Sequence, residues 1–517
     1  MPRPPDYGII YNWDGAPHGH HAVPQTMEQF LETMYAPMED TQVGAHFWCM
    51  GEHTARYKSG VLETVGENVG RRYTSAHAYT FNENVLSMIE RGEDAQAAAI
   101  ERGHELGMHV YTSVRMNDNH FGGLQPEQMA ESKQDDLSQM RRNHPEWMLG
   151  DGAQSDWFAL SWNMAVPEVR EHRYEHVKEV SERWDWDGVE LDWQRHGYHL
   201  DKDDGYKMRY ALTDLQRTIR QMTNRLAEER GKPFYVAARV SGTLEMCKRI
   251  GYDIETWVDE GLVDVLIPAA SSGTDPLLDI AGFKALTMGT DIAVYGCIYG
   301  SATGPHVGPE GETAKRDMLL SGVASRHYSF GADGIYVFNF HGDREYRRNL
   351  LTSIGSSDSL RGKSKIYAAT HKIPRATGEW RGAELNDRIY AELPVTLVRT
   401  MSGDGPAVTL RVLDDFTADP PKNIRLRVRL DKWVEGDEVE VTWNGETLPI
   451  PDFEYSGVST SMGYSMSTSV WQSYALSPDQ VPTGDHKTKA ILRRRNPKLI
   501  PDITLTDVEL VVDYGEV

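Results

Sequence analysis

Three cysteines, Cys49, Cys247 and Cys297, are all that this chain of 517 residues holds. They are odd in number, far apart and without a CxxC pair, which excludes a disulfide framework and a cysteine-based zinc motif. The plain reading is buried thiols acting as small hydrophobes. Positive charge is scarce too: 54 Lys and Arg stand against 77 Asp and Glu, a net charge of −23. A surface of that sign repels nucleic acid and anionic membranes, so neither is expected as a partner. It also slows a polyanionic substrate unless the cleft is locally basic. No apolar run approaches bilayer-spanning length. The start, MPRPPDYGIIYNWDG, lacks a charged segment followed by an apolar one, so a cytoplasmic protein is expected. A chain trimmed of its leader would read the same and would be periplasmic or secreted.

What is there is an alternation of strand-like and helix-like segments. Strands are predicted at 8–13, 43–50, 108–115, 188–193, 234–240, 263–268, 291–298 and 334–340. Helical patterns lie between them at 26–34, 94–106, 168–184, 206–229, 254–260 and 312–330. Gly107 is placed for a helix C-cap and Pro167 for a helix start. Eight such units in about 340 residues predict a closed (β/α)₈ TIM barrel with insertions. A doubly wound open sheet is the runner-up, but no Gly-rich dinucleotide fingerprint follows the first strand. Insertions at 51–93 and 119–164 leave the C-terminal ends of strands two and three, where barrel enzymes build their sites. The second carries Trp147, Trp157 and Trp162, which argues against disorder. After Ser353 come β-like runs at 391–398, 407–412, 424–430, 438–443 and 507–512, with turn signals such as Trp443-Asn444-Gly445. They predict a C-terminal antiparallel β-sandwich domain. The expected division is a barrel over 6–355 and a sandwich over 366–517.

The densest chemistry lies in residues 187–196, DGVELDWQRH. Side chains alternate along a strand, so Val189, Leu191 and Trp193 share one face and Glu190, Asp192 and Gln194 the other. An apolar face beside a carboxylate face suits a barrel strand with helices outside and chemistry inside. Two inward acids are costly without compensation; the plain alternative is a structural ion pair with a neighbouring arginine. Other strand ends offer Asn12 and Asp14, then His46 and Trp48, then Arg115, Asn117, Asp118 and His120. Strand four adds Arg195 and His196, strand five Arg239, and strand eight Asn339 and His341. Aromatic faces for sugar rings, polar groups for hydroxyls and two carboxyls for a glycosidic bond are what sugar chemistry requires.

Each has a duller reading. Asp14 before Gly15 shapes a turn, Arg115 and Arg239 neutralise Glu190, Asn117 and Asp118 cap a loop, Trp48 packs, and His341 is a satisfied polar group. The His18-Gly19-His20-His21 run reads as a solvated loop, since no HExxH accompanies it.

The stretch Asp187-Gly188-Val189-Glu190-Leu191-Asp192 resembles the strand-four signature of TIM-barrel glycosyl hydrolases and hydrolase-like proteins. The preceding Val166-Pro167-Glu168-Val169-Arg170 resembles the helix start that leads into that strand in the family-10-like glycosyl hydrolase-like group. Arg115-Met116-Asn117-Asp118, Ala238-Arg239-Val240 and Gly331-Ala332-Asp333-Gly334-Ile335-Tyr336 are similar to the same group. The resemblance covers about 6–350, and it specifies the fold well and the substrate poorly. In the chitinase-type pattern DxxDxDxE the catalytic acid belongs at position 194, where this chain has Gln194, which cannot donate a proton as a carboxylic acid does.

The expectation is a glycoside hydrolase acting on an oligo- or polysaccharide by carboxylate acid/base catalysis at the C-terminal mouth. Asp192 is its first carboxylate, partnered by Glu190 or Asp118. A deep, desolvated Glu190 would keep its proton near neutrality. Asp14, Trp48, Arg115, Asn117, His120, Arg195, His196, Arg239, Asn339 and His341 are expected to bind substrate, and no cofactor or metal is expected. The alternatives are a non-catalytic glycan-binding barrel and a metal-dependent sugar hydrolase or isomerase. The latter needs three of His18, His20, His21, His46, His120, His196 and His341 to converge with an acid. Homo-oligomerisation stays open.

Overall fold

A computed structural model describes residues 2–15, 24–51, 53–270, 273–299, 313–340, 344–369, 391–399, 404–461 and 464–515. Eight parallel strands close into a barrel in chain order: β1 (Ile9–Trp13), β2 (Val43–Cys49), β3 (His109–Arg115), β4 (Gly188–Asp192), β5 (Tyr235–Ser241), β6 (Val265–Ala269), β7 (Ala293–Tyr299) and β8 (Gly334–Phe338). Each lies on a predicted strand. Local chemistry sets the helix ends. The helix Met27–Tyr35 opens on a Thr26–Gln29 capping box, and Asp94 caps Ala95–Glu105. Gly107 follows that helix with φ 75°, and Pro167 stands at the start of Pro167–Arg183.

Strand alternation divides the core in two. Val189, Leu191 and Trp193 join the layer between strands and helices, while Phe47, Tyr111, Tyr295, Tyr336 and Phe338 fill the lumen. Phe47 and Tyr111 stack at 4.3 Å inside it.

The N-terminal end of the barrel is stapled by a repeated device. The residue before each of β4, β6 and β8 is an aspartate: Asp187, Asp264 and Asp333. Each accepts the backbone N–H of the second residue of the preceding strand, from Val110, Val236 and Val294, at 2.8, 2.7 and 2.8 Å. Each also meets a cationic or imidazole side chain from a helix outside: His104, Arg220 and Lys284. Gly188 and Gly334 follow two of these aspartates. An added Cβ there would stand 2.4 Å from the ring of Tyr111 or Tyr295, so these glycines make room for the floor tyrosines.

Beyond the barrel, β9 (Lys365–Ala368), β10 (Val395–Thr396), β11 (Ala407–Val412), β12 (Asn423–Asp431), β13 (Glu438–Trp443), β14 (Glu446–Thr447), β15 (Asp452–Ser461), β16 (Tyr464–Leu476), β17 (Gly484–Arg494) and β18 (Thr504–Asp513) form two sheets. One runs β10-β18-β12-β16-β15 with β9 against β18, the other β11-β17-β13-β14. Inward residues of both, such as Leu410, Val428, Val441 and Leu510, share one apolar core, a β-sandwich. β9 ties it to the barrel: Ile366 and Ala368 pack on Leu319, and buried Lys365 pairs with Asp414 at 2.8 Å. Among the described residues no helix is long and apolar enough to cross a membrane.

Candidate active site at the C-terminal mouth

β4 points Glu190 and Asp192 into the lumen, as alternation predicts. Glu190 is fully buried one layer down, its oxygens taken by Asn12 Nδ2 at 2.8 Å and Tyr336 OH at 2.5 Å. Burial first, and the charge of Asp192 second, push its pKa up to about 7. Asp192, also buried, accepts from Arg239 Nη2 at 2.8 Å on one oxygen. Its other oxygen accepts the backbone N–H groups of Gln194 and Arg195 at 3.2 and 2.8 Å. Arg239 in turn lies 3.9 Å above the Phe338 ring.

Above this layer Arg115 forks between two acids, Asp118 at 2.8 Å and Asp14 at 2.5 Å. Burial opposes charge on both acids and loses. Arg115, Arg195 and Arg56 bring Asp14 down to about 2. The His120 side chain and Arg115 hold Asp118 well below the carboxylate range. Asn339 turns its amide nitrogen to both Asp14 oxygens at 3.2 Å. Three non-glycine residues here sit in the left-handed region, His196 (φ 55°), Tyr198 (φ 80°) and Asn339 (φ 48°). Such backbone costs about 1–3 kcal/mol each and clusters at functional sites.

Three imidazoles surround Asp118: His120 Nδ1 at 2.7 Å, His196 Nδ1 at 2.9 Å and His53 Nε2 at 3.7 Å. His53, Asp118 and His120 have the spacing of a metal site, but the protons argue otherwise. Arg195 Nη2 donates to His120 Nε2 at 3.0 Å, so the imidazole proton is on Nδ1, which stands 2.7 Å from Asp118. A cation there would have to replace that proton beside two guanidiniums. His196 is held neutral, its pKa brought to about 3 by burial and then by Arg195. Its Nδ1 accepts the Asn119 N–H at 2.9 Å, so its approach to Asp118 is no ion pair.

The structure thus brings together Asp14, Arg115, Asp118, His120, Glu190, Asp192, Arg195, His196, Arg239 and Asn339. Two predicted residues fall elsewhere. Trp48 is fully buried on the outer face of β2, against Phe30 at 5.5 Å, with its indole N–H on the Gly15 carbonyl. Ala45 and Phe47 take the inward positions, so residues 46 and 48 must face the helices. His46 is there too, edge-on to Tyr35 and neutral, its pKa brought by burial to about 3. Asn117 is a loop staple: its side-chain oxygen accepts the Trp162 N–H at 2.9 Å, and its nitrogen faces the carbonyls of Trp162 and Tyr198. Gln194 is buried as well, only 1% exposed. His18, His20, His21 and His341 lie outside the described residues. Sequence reasoning passed over His53, Tyr336 and Phe338. The last two alternate inward on β8, the same signal that placed Glu190 and Asp192.

No family model matches this chain, and no curated protein does. Among solved structures it is similar to α-L-fucosidase isoenzyme 2 from Paenibacillus thiaminolyticus, at 14% identity and TM-score 0.41, over 71% of this chain and 51% of that one. A family 36 α-galactosidase, AgaA from Geobacillus stearothermophilus, matches at 11% and TM-score 0.38, over 92% and 56%. A Paenibacillus sp. cycloisomaltooligosaccharide glucanotransferase matches at 10% and TM-score 0.32, over 97% and 57%. The chain spans about half the length of these three structures.

Proposed function

We propose that this chain is a glycoside hydrolase acting on an oligo- or polysaccharide at the mouth of a barrel unit, 6–355, with 366–517 as an accessory sandwich unit. The supporting observation is a pair of carboxyls on one face of β4 in unlike environments. Glu190 is pushed toward a neutral-range pKa of about 7, while Asp192 is paired with Arg239. Acid and base roles separate in that way when neighbouring groups are tuned apart. Glu190 is then the proton donor to the leaving oxygen, and Asp192 the charged carboxylate that meets the developing positive charge at the sugar carbon. Asp118 is too acidic to donate a proton and instead holds His120 at the rim, where His120 is 30% exposed. Arg115, Asp14 and Asn339 are placed to read hydroxyls.

The test is a panel of defined oligo- and polysaccharides with product analysis, native against Asp192→Asn. Cleavage by the native protein alone supports the reading, and equal cleavage removes Asp192 from the mechanism. One observation favours a second reading, a glycan-binding barrel: both Asp192 oxygens are occupied, and Glu190, Asp192 and Asp118 are at most 2% exposed. Binding without turnover across the panel would decide for it.

A further inference from the structure

We propose that the mouth selects a sugar bearing a single negative charge, which Arg195 and His120 hold. This rests on the glycan reading above and narrows its substrate class. Four guanidiniums, Arg56, Arg115, Arg195 and Arg239, share three aspartates, Asp14, Asp118 and Asp192. Arg115 is consumed by Asp14 and Asp118, and Arg239 by Asp192. Arg56 rests on the carbonyls of Gly15 and Cys49 at 2.6 and 3.0 Å. Arg195 is left over. Among the described residues its side chain makes one hydrogen bond, to His120 Nε2 at 3.0 Å, and its Nε has no partner. Its guanidinium lies 5.9 Å from the Phe338 ring, on the same aromatic as Arg239.

Among the described residues that cation has no ion pair of its own, and the nearby Asp118 and Asp14 are already bonded to Arg115. Burial and the proximity of Arg115 both lower its pKa, which is the same imbalance seen from the proton's side. A neutral hydroxyl leaves the imbalance in place, whereas an oxyanion removes it through charge-assisted hydrogen bonds to a planar fork. One guanidinium of the four has neither an ion pair nor backbone acceptors among the described residues, so the matching ligand group carries one charge, a ring carboxylate or a sulfate ester. A chain of net charge −23 would otherwise repel such a ligand; a basic spot inside the mouth is what lets it approach.

Calorimetric binding tests this without turnover. Glucuronate, galacturonate, mannuronate and glucose 6-sulfate are compared with glucose, galactose and mannose. The native protein should bind at least one charged sugar about tenfold tighter than its neutral parent. That preference should shrink with added salt and vanish in Arg195→Gln, with far-UV circular dichroism unchanged. A uronate preference identifies a carboxylate, and a preference for the 6-sulfate a sulfate ester. If Arg195→Gln does not fold, Arg195→Lys, which keeps charge and loses the fork, should weaken the preference. No preference in the native protein, including no binding of any sugar, overturns the proposal, as does a preference that survives Arg195→Gln. Arg195-dependent binding of acidic glycans that are never cleaved sinks the hydrolase alone. Cleavage of neutral glycans with no charged preference sinks this inference alone.

Discussion

At the N-terminal end of the barrel Tyr7, His109, Tyr111 and Tyr295 meet through neutral groups, while at the C-terminal end Asp14, Arg115, Asp118, Asp192, Arg195 and Arg239 meet through charges. The Tyr7 hydroxyl bonds His109 Nδ1 at 2.9 Å and the Tyr111 hydroxyl at 2.8 Å, and the Tyr295 hydroxyl accepts the Tyr7 N–H at 3.0 Å. Burial raises the pKa of all three phenols, so they stay uncharged. The charges at this end, Asp187, Asp264 and Asp333, sit at the rim and clamp backbone N–H groups. The mouth does the reverse. It buries ions in the lumen, keeps three non-glycine residues left-handed, and leaves Nε of Arg195 and Arg239 without partners among the described residues. Buried ion pairs are weak evidence for stability, and strained backbone persists where something else requires it. The floor is built to hold, and the mouth carries buried charge and backbone strain that holding does not require.

The sharpest way to break that comparison is to neutralise one aspartate at each end. Asp192→Asn should cut glycan turnover by roughly 10²–10⁴-fold, the scale of lost carboxylate catalysis. It also leaves Arg239 buried without its counter-charge, so melting should fall as well. Asp264→Asn should leave turnover within about twofold at a temperature where the variant is folded, because Asp264 only joins Arg220 to β5. Its loss shows as stability, about 3–5 kcal/mol for breaking a nearly buried pair. Chemical denaturation and initial rates on both variants decide. A floor variant that folds yet loses turnover as deeply as Asp192→Asn erases the distinction.

The next effect is a pH slope from Glu190. Its folded pKa, about 7, lies above the ordinary carboxyl value of 4.5, so the folded state holds the proton more tightly than the unfolded one. That contribution is complete below about pH 4.5 and is lost as pH rises through 7, a swing on the order of 3 kcal/mol. Glu190→Gln should remove this term alone, so the stability of the variant relative to the native protein should rise with pH between those limits. As the proton donor, Glu190 should also make native kcat/KM fall above pH 7. His196, His46 and His327 slope the other way: burial brings each to about 3, so their contribution is present above about pH 6.5 and fades as pH falls toward 3. A stability difference between native protein and Glu190→Gln that stays constant from pH 5 to 8 would remove the buried-acid assignment.

How far the sequence could be read follows the same two ends. Period-two alternation placed Glu190 and Asp192 inward and located all eight barrel strands, because a strand buried on both faces leaves an unbroken local signal. The same rule, applied to β2, would have put Trp48 outside; naming it a sugar platform judged residue type ahead of parity. Asp187-Gly188 and Asp333-Gly334 read as parts of a hydrolase signature, yet both are floor devices, an N–H clamp followed by space for a tyrosine ring. Asn117 was legible as polar and near the mouth, but its partners, Trp162 and Tyr198, lie 45 and 81 residues away. In the sandwich, β9 and β14 to β17 escaped notice, and in β15 to β17 it is a sequence rich in Ser and charge that dilutes the hydrophobic pattern.

The smallest effect is the cleanest control on a neutral floor. Tyr7→Phe removes one hydroxyl that bridges His109 and Tyr111 and changes no charge. His109 is only partly buried, so water can replace its lost partner, whereas the Tyr111 hydroxyl is sealed inside. The expected cost is therefore about 1–2 kcal/mol, that of one buried hydroxyl left unsatisfied. Because burial keeps the floor phenols protonated and lowers the pKa of His109, the loss should differ little between pH 5 and pH 8, and turnover should not move. Denaturation midpoints at the two pH values measure it. A loss that grows with pH would mean that the floor hydroxyls are coupled to Glu190 one layer above, and the two ends would then be one electrostatic unit rather than two.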